Sequence, residues 1–141
     1  MSRGEPLTDE DRWGWLEILR NAGVEKIHKE QSQGVVMTCS ALKRRYRDVL
    51  RVASYWEQSV LVHFVYLHAD EEILMERVGA RKGHYMGANM VHSQFASLEE
   101  PQQDETDVIK VNVSGSVEDV EKEALSLVRE AIKQQLEKDS Q

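Results

Sequence analysis

One cysteine, Cys39, is all that the chain contains, which excludes an internal disulfide and a cysteine-rich zinc site. Cys39 reads as a small apolar strand residue in a reducing compartment. No stretch approaches the roughly 20 apolar residues of a membrane-spanning helix. The N-terminal MSRGEPLTDEDR has no apolar signal-peptide core. The sequence therefore reads as cytoplasmic, with no membrane partner. Positive charge is scarce as well: 18 Lys and Arg stand against 25 Asp and Glu, a net charge of −7. That argues against a nucleic-acid partner, which needs a basic footprint. Any anion site must be local. His28, His63, His68 and His92 show no ligand spacing, so no histidine metal site is expected. Repeats, low-complexity tracts and hairpin signals are lacking too.

What is present is an alternation. The 141 residues, 40% hydrophobic and 30% charged, suit a single domain with its own core. Thr8, followed by Asp9, Glu10 and Asp11, predicts a helix start near 8, because a hydroxyl caps free N–H groups and acids suit the positive dipole end. That helix runs to about 31, with Trp13, Leu16 and Ile27 among polar residues, and Gly34 ends it. VVMTC (35–39) reads as a short buried strand. A helix near 41–54 follows, with Leu42, Tyr46, Val49, Leu50 and Ala53 on one face.

SVLVHFVYLH (59–68) is the strongest strand signal. Asp70 is placed to cap the next helix, whose core face includes Ile73, Leu74 and Val78. RKGHYMGAN (81–89) reads as a mobile loop, 88–99 as a helix closed by Pro101, and DVIKVNV (107–113) as a strand. Ser116 with Asp119 resembles a capping box. It opens a final helix carrying Val117, Val120, Ala124, Leu127, Val128, Ala131 and Leu136. The tryptophans and Tyr46 read as core. Helices alternating with apolar strands predict a parallel α/β sheet covered by helices on both faces, with ligands beyond the carboxyl ends of its strands.

Two basic clusters stand out. Positions 43–51 hold five of the 18 Lys and Arg residues, directly after the apolar run 35–39. Lys43 and Arg47 are four apart and share a helical face, which Arg51 extends. Cys39, Ser40 and Ala41 form the strand-to-helix turn, where free N–H groups attract anions; Ser40 is also a candidate N-cap. Arg44, Arg45 and Arg51 suit a solvated face paired with acids, whereas Lys43, nearest the turn, is the better ligand candidate. The second cluster is ERVGARKGHYMG (76–87). Arg77 and Arg81 either deliver paired donors to a phosphate from a mobile loop or cap the helix C-terminus. His84 reads as an ordinary loop histidine.

Four ordered segments carry a resemblance: GEPLTDEDRWGWL (4–16), CSALKRRYRD (39–48), ARKGHYM (80–86) and SQFASLEEP (93–101). Together they resemble the gluconokinases, small-molecule kinases of the P-loop fold related to adenylate and shikimate kinases. The resemblance implies transfer of the terminal phosphoryl group of ATP to the 6-hydroxyl of D-gluconate, with magnesium. It implies that Lys43 and Arg47 hold the sugar acid, with Asp11 and Arg12 contributing from substrate-side helices. Arg77 and Arg81 would approach the ATP phosphates from a lid. A homodimer stays open as a further partner.

One departure is large: no stretch fits the family's G-x-x-x-x-G-K-[ST]. The nucleotide-cradling amides, the phosphate-binding lysine and the magnesium-holding hydroxyl belong to that segment, whose strand is central in this fold. The chain is thus expected to be a single gluconokinase-like domain, 1–141, N-terminally incomplete as a truncated gene model, splice form or fragment. Gly14 stands where many relatives have proline. Two other functions remain open: another P-loop small-molecule kinase, which the C-S-A-L-K motif disfavours, and a non-catalytic remnant that binds a sugar acid or a kinase partner.

Overall fold

The computed structural model describes residues 7–80 and 87–140. Its first element, α1 (Asp9–Glu30), begins at the expected cap. Thr8 Oγ1 accepts from the Asp11 N–H at 3.2 Å, and the Asp11 carboxylate accepts from the Thr8 N–H at 2.9 Å. Two orphan donors are satisfied reciprocally. Gln31, with φ 49°, turns the chain out of the helix, so the stop comes three residues before the glycine that the sequence suggested.

Residues 35–39 are a correction. They carry no ladder, Val36 is 96% exposed, and Cys39 is exposed rather than buried in a strand. A strand needs a neighbour for its N–H and C=O groups, and among the described residues none pairs with this one. The segment lies along α1 instead. A Cβ at Gly23 would stand 3.1 Å from Met37 Cε and Sδ, so glycine permits the close approach.

The second helical stretch is shorter than its pattern. It comprises α2 (Arg44–Arg51) and a final turn, α3 (Ala53–Trp56). Tyr46, Val49, Leu50 and Ala53 are buried as expected. Leu16 of α1 joins Tyr46, Val49 and Leu50 in the main core cluster, with Ala41 and Phe64 packed against it.

Of the apolar run 59–68, only β1 (Phe64–His68) is paired. It runs parallel to β2 (Val108–Asn112), with Phe64 opposite Val108 and His68 opposite Asn112. Between them come α4 (Glu71–Ala80) and α5 (Ala88–Ser97), and α6 (Val117–Asp139) follows β2. Asp70 stands before α4 and takes the Leu74 N–H on its backbone carbonyl. The parallel α/β pattern with its helices is present, and among the described residues one side of β1 stays partly open. Val65 and Leu67, which alternate with the half-buried Phe64, Tyr66 and His68, are 41% and 57% exposed.

Two further expectations about the core are corrected. No residue of α6 is fully buried, and Val117 and Leu136 are 78% and 62% exposed. Val120, Ala124, Val128 and Ala131 form a half-buried stripe along it. Ser116 Oγ caps α6 by accepting from the Asp119 N–H. The tryptophans are surface residues: Trp13, Trp15 and Trp56 are 43–52% exposed. Trp56 stacks under the Arg20 guanidinium, 4.5 Å from the ring centre.

Gly14 offers a test of local stability. Nothing lies within 4 Å of a Cβ placed there, and the position is exposed inside α1. Gly14→Ala should therefore stabilise the fold by about 1 kcal/mol through helix propensity alone. Urea unfolding would show a higher midpoint at unchanged slope, whereas a lower midpoint would mean that α1 does not hold this register.

Candidate functional site

The two candidate substrate-side segments meet where the first turn of α1 faces the turn entering α2. Lys43, not Ser40, is the N-cap residue of α2, and its side chain makes no capping bond. The cap arrives from elsewhere in the chain. Glu99 accepts the Arg44 N–H on its carboxylate at 2.8 Å, while its own N–H donates to the Leu42 carbonyl at 2.8 Å. The segment after α5 thus fixes the basic turn.

Lys43 Nζ donates to Asp9 Oδ1 at 2.9 Å. The buried Tyr46 hydroxyl donates to the same oxygen, and the Arg45 guanidinium donates to Asp9 Oδ2. Three donors from one turn therefore converge on one carboxylate. Hydrogen bonds from Tyr46 and then Lys43 hold the Asp9 carboxyl below the usual range. Asp9 in turn raises Lys43, while burial, followed by Asp9, pushes the Tyr46 phenol up. Arg12 is 5% exposed, lies 5.8 Å from the Tyr46 ring centre and donates to the Ser40 carbonyl at 3.5 Å. Asp11 stays on the surface, its carboxylate engaged with Thr8.

Arg47 does not share a face with Lys43. Lys43 precedes the helix in extended backbone, so the four-residue rule has no helical turn to act on. The Arg47 side chain is 4% exposed and binds both oxygens of Glu105 at 2.7 Å. It also donates to the carbonyls of Ala41, Leu42 and Glu99. Arg51 continues this network to Glu105 and Asp107 and is only 18% exposed, so it does not belong to a solvated face. Arg44, with Asp104, and Arg45, with Asp9, do pair at the surface. Arg45, however, reaches the acid that Lys43 reaches, which its place on a helical wheel would not show.

Arg77 lies in the last turn of α4 and donates to the Val113 and Gly115 carbonyls at 2.6 and 3.3 Å. It ties that helix to the carboxyl end of β2 rather than capping its own carbonyls. Arg81 and His84 lie outside the described residues.

Three contributors escape the sequence patterns. Asp9 looks like one more first-turn acid. Glu105 and Asp107 sit between Pro101 and β2 without any periodicity to mark them. The surplus of arginines at 44–51 is the one available signal that buried acids must lie opposite.

The buried pair predicts an acid-sensitive fold. Arg47 and then Arg51 draw the Glu105 carboxyl from an ordinary 4.5 down to about 2, against the cost of burial. A depressed native pKa stabilises fully above the unfolded value and is lost as pH falls through the folded one. The window is therefore pH 4.5 down to 2, worth about 3 kcal/mol. Stability from urea unfolding across that window should fall steeply in the wild type and much less in Glu105→Gln. Equal slopes would contradict the assignment.

The chain is similar to known proteins along most of its length. No family model matches the chain. The probable gluconokinase of Schizosaccharomyces pombe is 48% identical over 132 residues, 94% of this chain and 68% of that protein. The thermosensitive gluconokinase of Escherichia coli is 40% identical over 85% of this chain and 60% of its own length. The thermoresistant enzyme is 36% identical over 92% and 70%. A crystal structure of a gluconokinase from Sinorhizobium meliloti superposes with a TM-score of 0.75 at 37% identity, over 97% of this chain and 73% of that one. A sugar kinase from a Janibacter species gives 0.76 at 37% identity, over 92% and 70%. The chain thus spans 60–70% of the length of these three curated relatives, and it belongs to the gluconokinase family.

Proposed function

We propose that this chain serves the ATP-dependent phosphorylation of D-gluconate at its 6-hydroxyl. The observation that carries the reading is the 48% identity to a gluconokinase across 94% of the chain. The cationic turn supports it, because gluconate is a carboxylate and Lys43 already holds one. In this reading Lys43 binds the sugar acid, while Asp11 and Arg12 approach from the first turn of α1. Arg47 contributes by fixing the backbone of the turn, since its donors face Glu105 and three carbonyls.

ATP and magnesium enter through the family. Among the described residues, no group of three or more His, Cys, Asp or Glu comes together to hold a metal ion. No stretch of the 141 residues fits G-x-x-x-x-G-K-[ST]. The amides, lysine and hydroxyl of that motif are therefore not supplied by these residues. By the family resemblance, this chain's share of the ATP side falls to Arg77 and Arg81, which would serve the phosphates by charge and position. Among the described residues, no helix is long and apolar enough to cross a membrane.

Kinetics of a form carrying a P-loop segment test these roles together. Lys43→Ala should raise the KM for gluconate about 10- to 100-fold, the loss of one charge-assisted hydrogen bond. Arg45→Ala should do less, because that side chain is 50% exposed against 24% for Lys43. Substitution of Arg77 or Arg81 should change kcat or the KM for ATP and spare gluconate. Gluconate parameters left unchanged by Lys43→Ala would remove Lys43 from the site. A preference for shikimate or a nucleoside monophosphate over gluconate would overturn the reading itself.

A further inference from the structure

The donors around Asp9 form a seat for a carboxylate, and the chain fills it with its own acid. Lys43 Nζ, the Arg45 guanidinium and the Tyr46 hydroxyl come from one turn, and all three point at the two Asp9 oxygens. Lys43, Arg45 and Arg12 also stand 5.6–5.8 Å from the centre of the Tyr46 ring. Three cations thus crowd one aromatic ring, and Asp9 is the carboxylate bonded to two of them. In a chain with net charge −7, such a concentration leaves positive potential unspent even with Asp9 in place. The Tyr46 hydroxyl adds direction. It is carried by a side chain in the core cluster, so its donor cannot follow a departing partner.

Asp9 is suited to leave. It is the first residue of α1, its side chain is 40% exposed, and Thr8 with Asp11 caps the helix without it. Rotation of one side chain into water opens the seat, and α1 need not unwind. We propose that Asp9 is a displaceable placeholder: the carboxylate of the sugar-acid substrate takes its place on Lys43, Arg45 and Tyr46. Arg45 and Tyr46 thereby become substrate-binding groups beside Lys43, and Asp9 sets the affinity for carboxylate ligands by competing with them. This rests on the gluconate reading above and deepens it.

Calorimetry on the full chain tests it, with gluconate as ligand and the neutral polyol glucitol as control. Asp9→Asn removes the competing charge but keeps an acceptor for Tyr46; Asp9→Ala empties the seat. Each should bind gluconate more tightly, by about five- to tenfold, the factor by which an occupied seat reduces apparent affinity. Glucitol binding should not change. A role in holding Lys43 in position gives the opposite sign, and unchanged or weaker gluconate binding in both variants overturns the proposal while leaving the gluconate reading intact. Gluconate bound by the variants but not by the wild type would support it. Gluconate bound by none of the three overturns the functional reading, and the placeholder with it.

Discussion

Arg47→Ala should cost the fold about 3–5 kcal/mol, the usual loss when one partner of a buried ion pair is removed. The reason lies in what stays behind. Glu105 has a side chain only 1% exposed and would keep its charge with Arg51 as the remaining cation. The carbonyls of Ala41, Leu42 and Glu99 would each lose a donor as well. A domain of this size has roughly 5–15 kcal/mol in total, so the variant should be partly unfolded at physiological temperature. Arg47→Lys should not rescue it, because an ammonium cannot present the planar fork that Glu105 accepts. Removing the stranded acid in Arg47→Ala/Glu105→Ala should recover part of the loss, since the uncompensated charge is gone. Urea unfolding of the four proteins checks this. A loss below 1 kcal/mol in Arg47→Ala would show that the pair is not buried in solution.

The local elements were legible because local physics decides them. Thr8 and Asp11 sit three apart at the start of α1 and form the box that their spacing implies. Tyr46, Val49 and Leu50 share a face and fill the core. The parallel pairing of β1 with β2 followed from helices lying between two apolar runs. What failed depends on neighbours. VVMTC has the composition of a strand but no described partner, and the stripe of α6 is apolar but only half-buried.

The site shows the same division. That Lys43 lies at an anion-attracting turn could be read from charge density. Lys43 and Arg47 pointing in different directions could not, because the helix starts at Arg44 and Lys43 stands outside its repeat. Asp9 and Glu105 lie 34 and 58 residues from Lys43 and Arg47, their respective partners. No periodicity reports a contact at that range.

A polypeptide of residues 1–141 alone should show little or no gluconokinase turnover. Its described residues supply a cationic turn for the sugar acid and an arginine at the end of α4, but no G-x-x-x-x-G-K-[ST] cradle for the nucleotide. Preorganised donors aimed at developing charge are the largest catalytic contribution in most enzymes, and one such donor is worth about 2.7–4 kcal/mol. A cradle combines several donors with a lysine, so its loss should cost far more than a hundredfold in rate. The exposed Val65 and Leu67 of β1, together with the exposed Val36, should also make this polypeptide prone to associate through apolar surface. The decisive measurement is ATP-dependent formation of 6-phosphogluconate, with magnesium, by residues 1–141 and by the same residues joined to an upstream strand and P-loop. The expected result is product from the joined protein and none above background from the 141 residues alone. Comparable turnover by the two, or no product from the joined protein, would contradict the account.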